Sequence, residues 1–261
     1  MPKMLLSFFL ATVLAATSAQ AGYEYPHDIT NKISLLRTKS GAGVSFVDEE
    51  WCLSWRFGIE TNNLVDWAMY PEECEGYIWR YMLGCQYEKD SKVVTEEAYE
   101  YAKNLNLPYD GKIHVWVFDI DETALTNLNH FIPKHGFRAK PSNNEHALEE
   151  SPALPATLEL YKKLGTLGIK VVFLSLRTED LRTDTENNLR NVGYETWEKV
   201  ILRPDSNYAG TSLEFKSGQR KKLEESKYRI VGNIGDQWSD LLGTNSGLRT
   251  FKLPNPIYHV N

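Results

Sequence analysis

The stretch that decides the fold is VWVFDIDET at residues 115–123, in which an apolar run ends in two aspartates. The apolar residues from 113 to 118, interrupted only by His114, predict a strand that is buried on both faces. Carboxylates at the carboxyl end of a parallel strand lie where open α/β sheets bind their ligands. If a turn follows Asp119, its carboxylate and that of Asp121 can converge, so that one attacks while the other moves a proton. Two such acids also suit a hard cation, and a solvated acidic turn is the alternative.

Further polar positions follow in a fixed order along the chain. A second apolar strand ends in Ser175, and Lys216 lies near the start of a predicted helix. A third strand leads into Asp236, with Asp240 four residues later. Lys216 has a surface lysine as its alternative interpretation, and Asp240 could simply offset a helix macrodipole.

From residue 113 onward, predicted strands and helices alternate, which indicates βαβ units and a parallel sheet in an α/β fold. The strands are expected near 113–118, 169–175, 198–203, 228–234 and 247–252, and the helices near 153–167, 178–192, 213–226 and 237–242.

The residues before this region have a helical pattern from 47 to about 107. A first helix carries Trp51 and Trp55, a second is expected over 72–87, and a third over 95–106, with cap residues between 90 and 98. The tryptophans of this half are expected to pack in its core, although stacking on sugars or bases is the alternative. They are Trp51, Trp55, Trp67 and Trp79.

The four polar positions resemble the signature of the haloacid-dehalogenase-like (HAD) phosphohydrolases: Asp-x-Asp-x-Thr, then Ser, then Lys, then Gly-Asp-x-x-x-Asp. The segments at 48–56, 235–243 and 249–256 are similar to the plant acid phosphatases of the vegetative storage protein family, over nearly the whole chain from residue 49. The resemblance implies a HAD-like Rossmannoid core with a parallel sheet flanked by helices. It also implies a helical N-terminal extension.

This resemblance further implies the chemistry of the site. Asp119 would be the nucleophile that forms an aspartyl-phosphate, and Asp121 the proton donor and acceptor. Magnesium would be held by Asp119, Asp236 and the backbone carbonyl of Asp121, which suits the few carboxylates that Mg²⁺ prefers.

The remaining motif residues would bind phosphate or orient the others. Ser175 and Lys216 would contact phosphoryl oxygens, and Asp240 would orient waters or Lys216. Family members usually have glycine after the motif serine, whereas this chain has Leu176, which predicts a narrower pocket mouth or a shifted Ser175.

Two functions remain open at this point. An acid phosphatase acting on small phosphomonoesters is favoured by the intact Asp119 and Asp121. A vegetative storage protein, an amino-acid reserve with weak or vestigial activity, is the alternative, because the family contains both kinds. Family members are usually dimers, so the resemblance also implies a homodimer.

The first 21 residues have the pattern of a signal peptide: Lys3, an apolar run at 5–16, and a small-x-small site before Gly22. The apolar run is too short to span a membrane comfortably, so the mature chain is expected to be soluble and secretory, either vacuolar or extracellular in the cell wall. A formal net charge of −6 argues against nucleic acid as a partner.

The organisation follows from these parts: a signal peptide at 1–21, a helical extension at 22–110 that packs on the core, and a HAD-like core at 111–261. A turn cluster at 108–111 marks the boundary. An insertion at about 124–152 predicts a small loop-rich lid.

Three cysteines suit an oxidising compartment. The resemblance implies that Cys52 pairs with Cys74. Cys85 is then left over, and burial is expected for it, with a bridge between two chains as the alternative.

Overall fold

The computed structural model describes residues 49–107, 109–128, 151–205 and 208–260. The predicted signal peptide and most of the predicted lid, residues 129–150, lie outside these ranges. The described residues belong to one compact unit. Within them, no helix is long and apolar enough to cross a membrane.

A five-stranded parallel sheet forms the centre of the fold, with the strand order β3-β2-β1-β4-β5. The strands are β1 (Ile113–Phe118), β2 (Lys170–Thr178), β3 (Lys199–Arg203), β4 (Tyr228–Gly235) and β5 (Thr250–Lys252). All five predicted strands are present, and β1 occupies the middle as its continuous apolar run requires. Strand β2 continues past Ser175 to Thr178, because a second pairing with β3 resumes at Thr178.

Helices cover both faces of the sheet. They are α4 (Pro155–Thr166), α5 (Arg182–Asn191), α6 (Ser212–Glu225) and the short α7 (Trp238–Leu241). One face buries Trp116 and Phe118 of β1 against α4, and the other buries Val115 and Val117 against α6. Alternate residues of β1 therefore pack into two separate cores, one on each face of the sheet, which confirms the α/β class.

The helical half before the sheet consists of α1 (Glu49–Glu60), α2 (Glu75–Met82) and α3 (Cys85–Lys103). The predicted break near residues 90–98 was wrong, because α3 runs through it without interruption. The break lies instead at Gly84, the N-cap of α3. Asp90 is satisfied inside the helix by tertiary partners, since its carboxylate accepts hydrogen bonds from Arg56 and Tyr81.

The tryptophans of this half only partly follow the predicted core packing. Trp55 and Trp79 pack against a buried cluster that joins the helical half to the C-terminal residues, and Trp67 stacks on His259. Trp51, in contrast, is 44% exposed on α1, so its assignment to the core was wrong. It lies in the first turn of α1, about a quarter-turn around the helix from the buried Ile59 and Cys52.

Cys52 and Cys74 form a disulfide that ties α1 to the turn before α2, with a Cα–Cα distance of 5.5 Å. The expected burial of Cys85 was wrong, because it is exposed. Cys85 is the first residue of α3, directly after the N-cap Gly84.

We expect loss of this disulfide to destabilise the protein measurably. The bridge closes a sequence separation of 22 residues, which corresponds to about 3 kcal/mol on the chain-entropy account. The Cys52→Ala/Cys74→Ala variant should therefore have a lower Tm than the parent protein in thermal unfolding monitored by circular dichroism. Cys85→Ala is the control and should leave Tm unchanged; equal Tm values for all three proteins would contradict the expectation.

Candidate active site

Three buried carboxylates meet at the carboxyl end of the central strands. Asp119 follows β1, Asp236 follows β4, and Asp240 lies in α7. One oxygen from each lies within 4.8 Å of the others. The backbone N–H of Asp119 donates to the carbonyl of Ile234 at 3.1 Å, so the β1–β4 pairing itself sets the spacing between the first two acids.

Lys216 supplies the positive charge of this cluster. Its Nζ donates to Oδ1 of Asp119 at 2.6 Å and also to Oδ1 of Asp240. The start of α6 is fixed by a capping box in which Thr211 and Glu214 satisfy each other's backbone N–H groups. Lys216 is only 3% exposed, so the surface-lysine alternative was wrong.

The charges of this cluster do not balance. Burial, followed by the charge of Asp240, raises the pKa of Asp119 well above its ordinary value. Burial and Asp240 likewise raise the pKa of Asp236 to about 6. Burial alone would lower the pKa of Lys216, but Asp119 and Asp240 raise it above its usual value, so it stays charged. Three buried acids against one amine leave an excess of negative charge, which is the environment that a divalent cation fits.

Asp236 is held by three donors. Its Oδ1 accepts from the hydroxyl of Thr123 at 3.0 Å, and its Oδ2 accepts from the amides of Gln237 and Asn255 at 2.7 Å each. The side chain of Glu60 at the end of α1 in turn accepts from the backbone N–H of Asn255 at 2.9 Å. The helical half therefore supports the carboxylate through the C-terminal residues.

Asp240 is positioned through its own backbone. Arg220, fully buried and one turn after Lys216 on α6, donates from Nη1 to the carbonyl of Asp240 at 2.6 Å. Asn233 donates to the same carbonyl at 2.8 Å. A Cβ at Gly235 would overlap the side chain of Asp240, so this motif position requires glycine. Asp240 was expected to orient other groups, and its carboxylate lies within the three-acid cluster itself.

Asp121 faces a different cation, Arg177, for which the sequence motifs predicted no role. The guanidinium donates from Nε to both carboxylate oxygens at 3.1 Å and from Nη2 to Oδ1 at 2.7 Å. The hydroxyl of Ser175 lies 3.4 Å from Oδ2 of Asp121. Because β2 continues to Thr178, Ser175 and Arg177 share one face of the strand. The Ser-x-Arg spacing was the signal for this pair, once the strand was known to continue.

Leu176 lies on the opposite face of β2. Its side chain packs against the core cluster that contains Leu174 and Phe215. Ser175 is held from the backbone, since its Oγ accepts the N–H of Arg177 at 3.1 Å. The leucine therefore has a packing role in the core beneath the site, and its effect on activity stays a prediction.

The loop after β1 turns sharply. The carbonyl oxygen of Ile120 accepts hydrogen bonds from the backbone N–H groups of Ala124 and Leu125, at 2.9 and 2.8 Å. Glu122 has the left-handed φ of +53° and is completely buried. Its burial raises its pKa to about 8, despite a hydrogen bond from the backbone N–H of Asn127. This turn carries Asp121 away from the strand and toward β2.

The sequence model of the HAD superfamily, subfamily IIIB (acid phosphatase), matches residues 37–261. Acid phosphatase 1 of Solanum lycopersicum is 43% identical over 217 residues, which cover 82% of this chain and 85% of that protein. Vegetative storage protein 1 of Arabidopsis thaliana is 38% identical over 237 residues, which cover 88% of this chain and 85% of that protein. Both kinds of relative therefore span most of the chain, which confirms the resemblance.

Among solved structures, the class C acid phosphatase from Bacillus anthracis superposes with a TM-score of 0.56 at 21% identity. The match covers 69% of this chain and 83% of that one. At this level of identity the similarity supports the fold, a HAD-like parallel sheet flanked by helices.

Proposed function

Because the chain belongs to the acid phosphatases of the HAD superfamily, subfamily IIIB, we propose that it hydrolyses small phosphomonoesters with Mg²⁺ through an aspartyl-phosphate on Asp119. The observation that carries this proposal is the buried Asp119, whose carboxylate is held by Lys216 among two further acids. A carboxylate fixed at a strand end is suited to attack phosphorus once Lys216 and a bound cation offset the negative charges of the acids and of the phosphoryl group.

The reaction proceeds in two steps. In the first, Oδ of Asp119 forms a bond to phosphorus while the bond to the ester oxygen breaks, and Asp121 gives its proton to the departing alkoxide. In the second, water attacks the aspartyl-phosphate, Asp121 takes the proton from that water, and inorganic phosphate leaves with Asp119 restored. The first step requires Asp121 to begin protonated, and the second requires it to begin as a carboxylate.

Three side chains complete the phosphoryl pocket. Lys216 already contacts Asp119, so a phosphoryl group in line with that carboxylate lies within its reach. Ser175 would donate its hydroxyl to a phosphoryl oxygen. Arg177 lies behind Ser175 on the same strand face and adds a second positive charge against the dianionic substrate.

The metal would be held by Asp119, Asp236 and the backbone carbonyl of Asp121, with Asp240 adjacent to the first two. When bound, Mg²⁺ neutralises the acids and the phosphoryl oxygens so that one anion can approach another. Asp236 is the most firmly oriented of these ligands, because Thr123, Gln237 and Asn255 all donate to it.

We expect Mg²⁺ to stabilise the metal-free protein. At 100 times its Kd a ligand adds about 2.7 kcal/mol, which corresponds to an increase in Tm of about 5–10 °C for a chain of this size. Asp236→Asn should lose most of this increase. Glu100→Gln, which changes an exposed carboxylate on α3, should keep all of it, and an equal increase in all three proteins would contradict the metal assignment.

Activity is tested on p-nitrophenyl phosphate with the chain from Gly22 onward, at about pH 5.5, where the general acid is favoured. Turnover that requires Mg²⁺ and stops in EDTA supports the proposal. Absence of turnover favours the second candidate, a storage protein with a vestigial site, for which the 38% identical Arabidopsis thaliana relative is the specific observation.

The setting of this activity is part of the same proposal. The signal-peptide pattern at 1–21 and the disulfide between Cys52 and Cys74 support entry into the secretory pathway and delivery to the vacuole or the cell wall. A homodimer remains an expectation from the family resemblance.

A further inference from the structure

We propose that Asn127 is a positioning residue for the general acid Asp121, and that Ser151 and Asn188 hold Asn127 in place. This inference rests on the proposed function of Asp121. Asn127 lies at the start of the predicted lid, eight residues after Asp119. None of these three residues belongs to the four-part motif of the family.

The side chain of Asn127 bridges Asp121 and Ser151. Its Nδ2 donates to Oδ1 of Asp121 at 2.8 Å, and its Oδ1 accepts from the hydroxyl of Ser151 at 2.7 Å. Asn127 is 1% exposed and Ser151 is fully buried. Because the Ser151 hydroxyl donates to the carbonyl end of the amide, the donor end must face Asp121.

Ser151 is fixed in turn by the side chain of Asn188 on α5. The Ser151 N–H donates to Oδ1 of Asn188 at 2.9 Å, and Nδ2 of Asn188 donates to the Ser151 carbonyl at 2.8 Å. These two hydrogen bonds fix the position of the Ser151 backbone relative to α5. The hydroxyl that orients Asn127 is therefore anchored to a helix rather than to a loop.

The backbone of Asn127 is also fixed. Its N–H donates to Oε1 of Glu122 at 2.7 Å, and the neighbouring Thr126 hydroxyl donates to Oε2 at 3.0 Å. The backbone N–H of Thr126 also donates to the carbonyl of Pro152 at 2.9 Å. The two ends of the 124–152 insertion thus meet in a short stem, and the Asn127–Ser151 hydrogen bond closes its inner side.

The stem orients one particular oxygen of Asp121. The short hydrogen bonds from Asn127 and from Nη2 of Arg177 both reach Oδ1, at 2.8 and 2.7 Å. With Oδ1 held from two sides, Oδ2 is directed toward Ser175, whose hydroxyl lies 3.4 Å away. Oδ2 is then the oxygen that faces the phosphoryl pocket and carries the transferable proton.

The consequence is specific to proton transfer. Without Asn127, Oδ1 loses the hydrogen bond that opposes the pull of Arg177, so the carboxylate can rotate toward the guanidinium and away from the leaving oxygen. A leaving group that is a stable phenolate departs without a proton, whereas an alkoxide requires one. Loss of Asn127 should therefore affect alkyl phosphates far more than p-nitrophenyl phosphate.

The experiment compares kcat/KM for glycerol 2-phosphate and for p-nitrophenyl phosphate. For Asn127→Ala we expect a decrease of about 10- to 100-fold with the alkyl ester and of less than about 3-fold with the aryl ester, since misplacing the acid loses a part of the roughly 10²–10⁴-fold that general acid catalysis contributes. Ser151→Ala removes only the hydroxyl that orients Asn127, and it should show the same selectivity with a smaller amplitude. Should Asn127→Ala fail to fold, this variant carries the test.

Tyr194→Phe is the matched control, because it removes another buried hydrogen bond at the same stem, from the Tyr194 hydroxyl to the Ala124 carbonyl at 3.0 Å. It should affect both substrates equally, as should any general loosening of the stem. An equal decrease for both substrates in Asn127→Ala and Ser151→Ala would overturn the positioning role.

Asp121→Asn separates the positioning role of Asn127 from the proposed role of Asp121. If it is selective for the alkyl ester and Asn127→Ala is not, the positioning inference fails while the proposed role of Asp121 stands. If Asp121→Asn itself shows no selectivity, both fail. The increase in Tm on adding Mg²⁺ should be unchanged in Asn127→Ala, since no carboxylate of the three-acid cluster is touched.

Discussion

Asp119→Asn should lower kcat for p-nitrophenyl phosphate by at least about 10⁴-fold, the scale expected when the nucleophile of a covalent mechanism is removed. An amide of the same shape cannot form the aspartyl-phosphate. Asp240 lies in the same three-acid cluster, but its side chain is engaged by Lys216 and by the backbone N–H of Gln237 at 2.9 Å. The measurement is steady-state turnover with saturating Mg²⁺.

The same substitution should not cost stability in the absence of metal. Asp119 is one of three buried carboxylates, and burial together with Asp240 already raises its pKa well above the ordinary value. An acid whose pKa is raised on folding destabilises the fold when it is ionised. The neutral amide removes that cost at neutral pH, while Lys216 keeps Asp240 as a partner. Tm in EDTA should therefore stay level or rise.

Asp110→Asn is the control for this experiment. It makes the same chemical change at the residue three positions before β1, where the carboxylate pairs with Arg229 at the opposite edge of the sheet from Asp119. Its kcat should remain within about twofold of the parent value, as for a surface change. A comparable loss of activity in both variants would point to a damaged fold, and residual turnover in Asp119→Asn above the 10⁻⁴ level would exclude Asp119 as the nucleophile.

The sequence sufficed for the sheet and for the acids that follow it, because both depend on local pattern. An apolar run such as 113–118 has one stable place in an α/β fold, the centre of the sheet. The residue after its end must then lie at the carboxyl edge. Asp119 and Asp236 follow neighbouring strands in this way, so their proximity needed no further information.

The partners of Asp121 could not be found from the same kind of pattern. Arg177 reaches Asp121 only because β2 continues three residues past Ser175, to Thr178, and the extension depends on the pairing with β3. Asn127 and Asn188 are 61 positions apart in sequence and are joined through Ser151. Polar contacts between distant segments leave no periodicity, so local propensity gives no indication of them.

In the helical half, local pattern likewise failed to predict where a helix begins. Aspartate is a preferred N-cap residue, so local preference places Asp90 directly before a helix. In the structure Arg56 and Tyr81 satisfy its carboxylate, and the helix therefore continues through it. Tertiary partners decided this boundary, because they removed the competition between the side chain and the backbone that favours a helix start.

Lys216→Met should lower both stability and activity, and the two losses should respond differently to metal. Removing one partner of a buried charge pair typically costs about 3–5 kcal/mol, which corresponds to a decrease in Tm of about 6–20 °C for a chain of this size. Loss of a preorganised charge at the phosphoryl oxygens should lower kcat by about 10²–10³-fold. Thermal unfolding in EDTA and in Mg²⁺, together with steady-state turnover, measures both effects.

Lys221→Met is the matched control, because it removes the same charge from the same helix at an exposed position that pairs only weakly with Glu225, at 3.7 Å. Its effect on stability should remain within about 0.5 kcal/mol. If the two lysine variants behave alike, the contacts of Lys216 with Asp119 and Asp240 contribute nothing to the site.

Magnesium distinguishes the two roles of Lys216. A bound cation compensates the same carboxylates that the amine compensates, so Mg²⁺ should restore much of the Tm of Lys216→Met. It cannot donate a hydrogen bond to a phosphoryl oxygen as the ammonium of Lys216 does, so kcat should stay low. Recovery of both quantities would mean that Lys216 serves only to balance the buried acids. Recovery of stability alone would assign it to the phosphoryl group as well, because only the reaction would then still lack it.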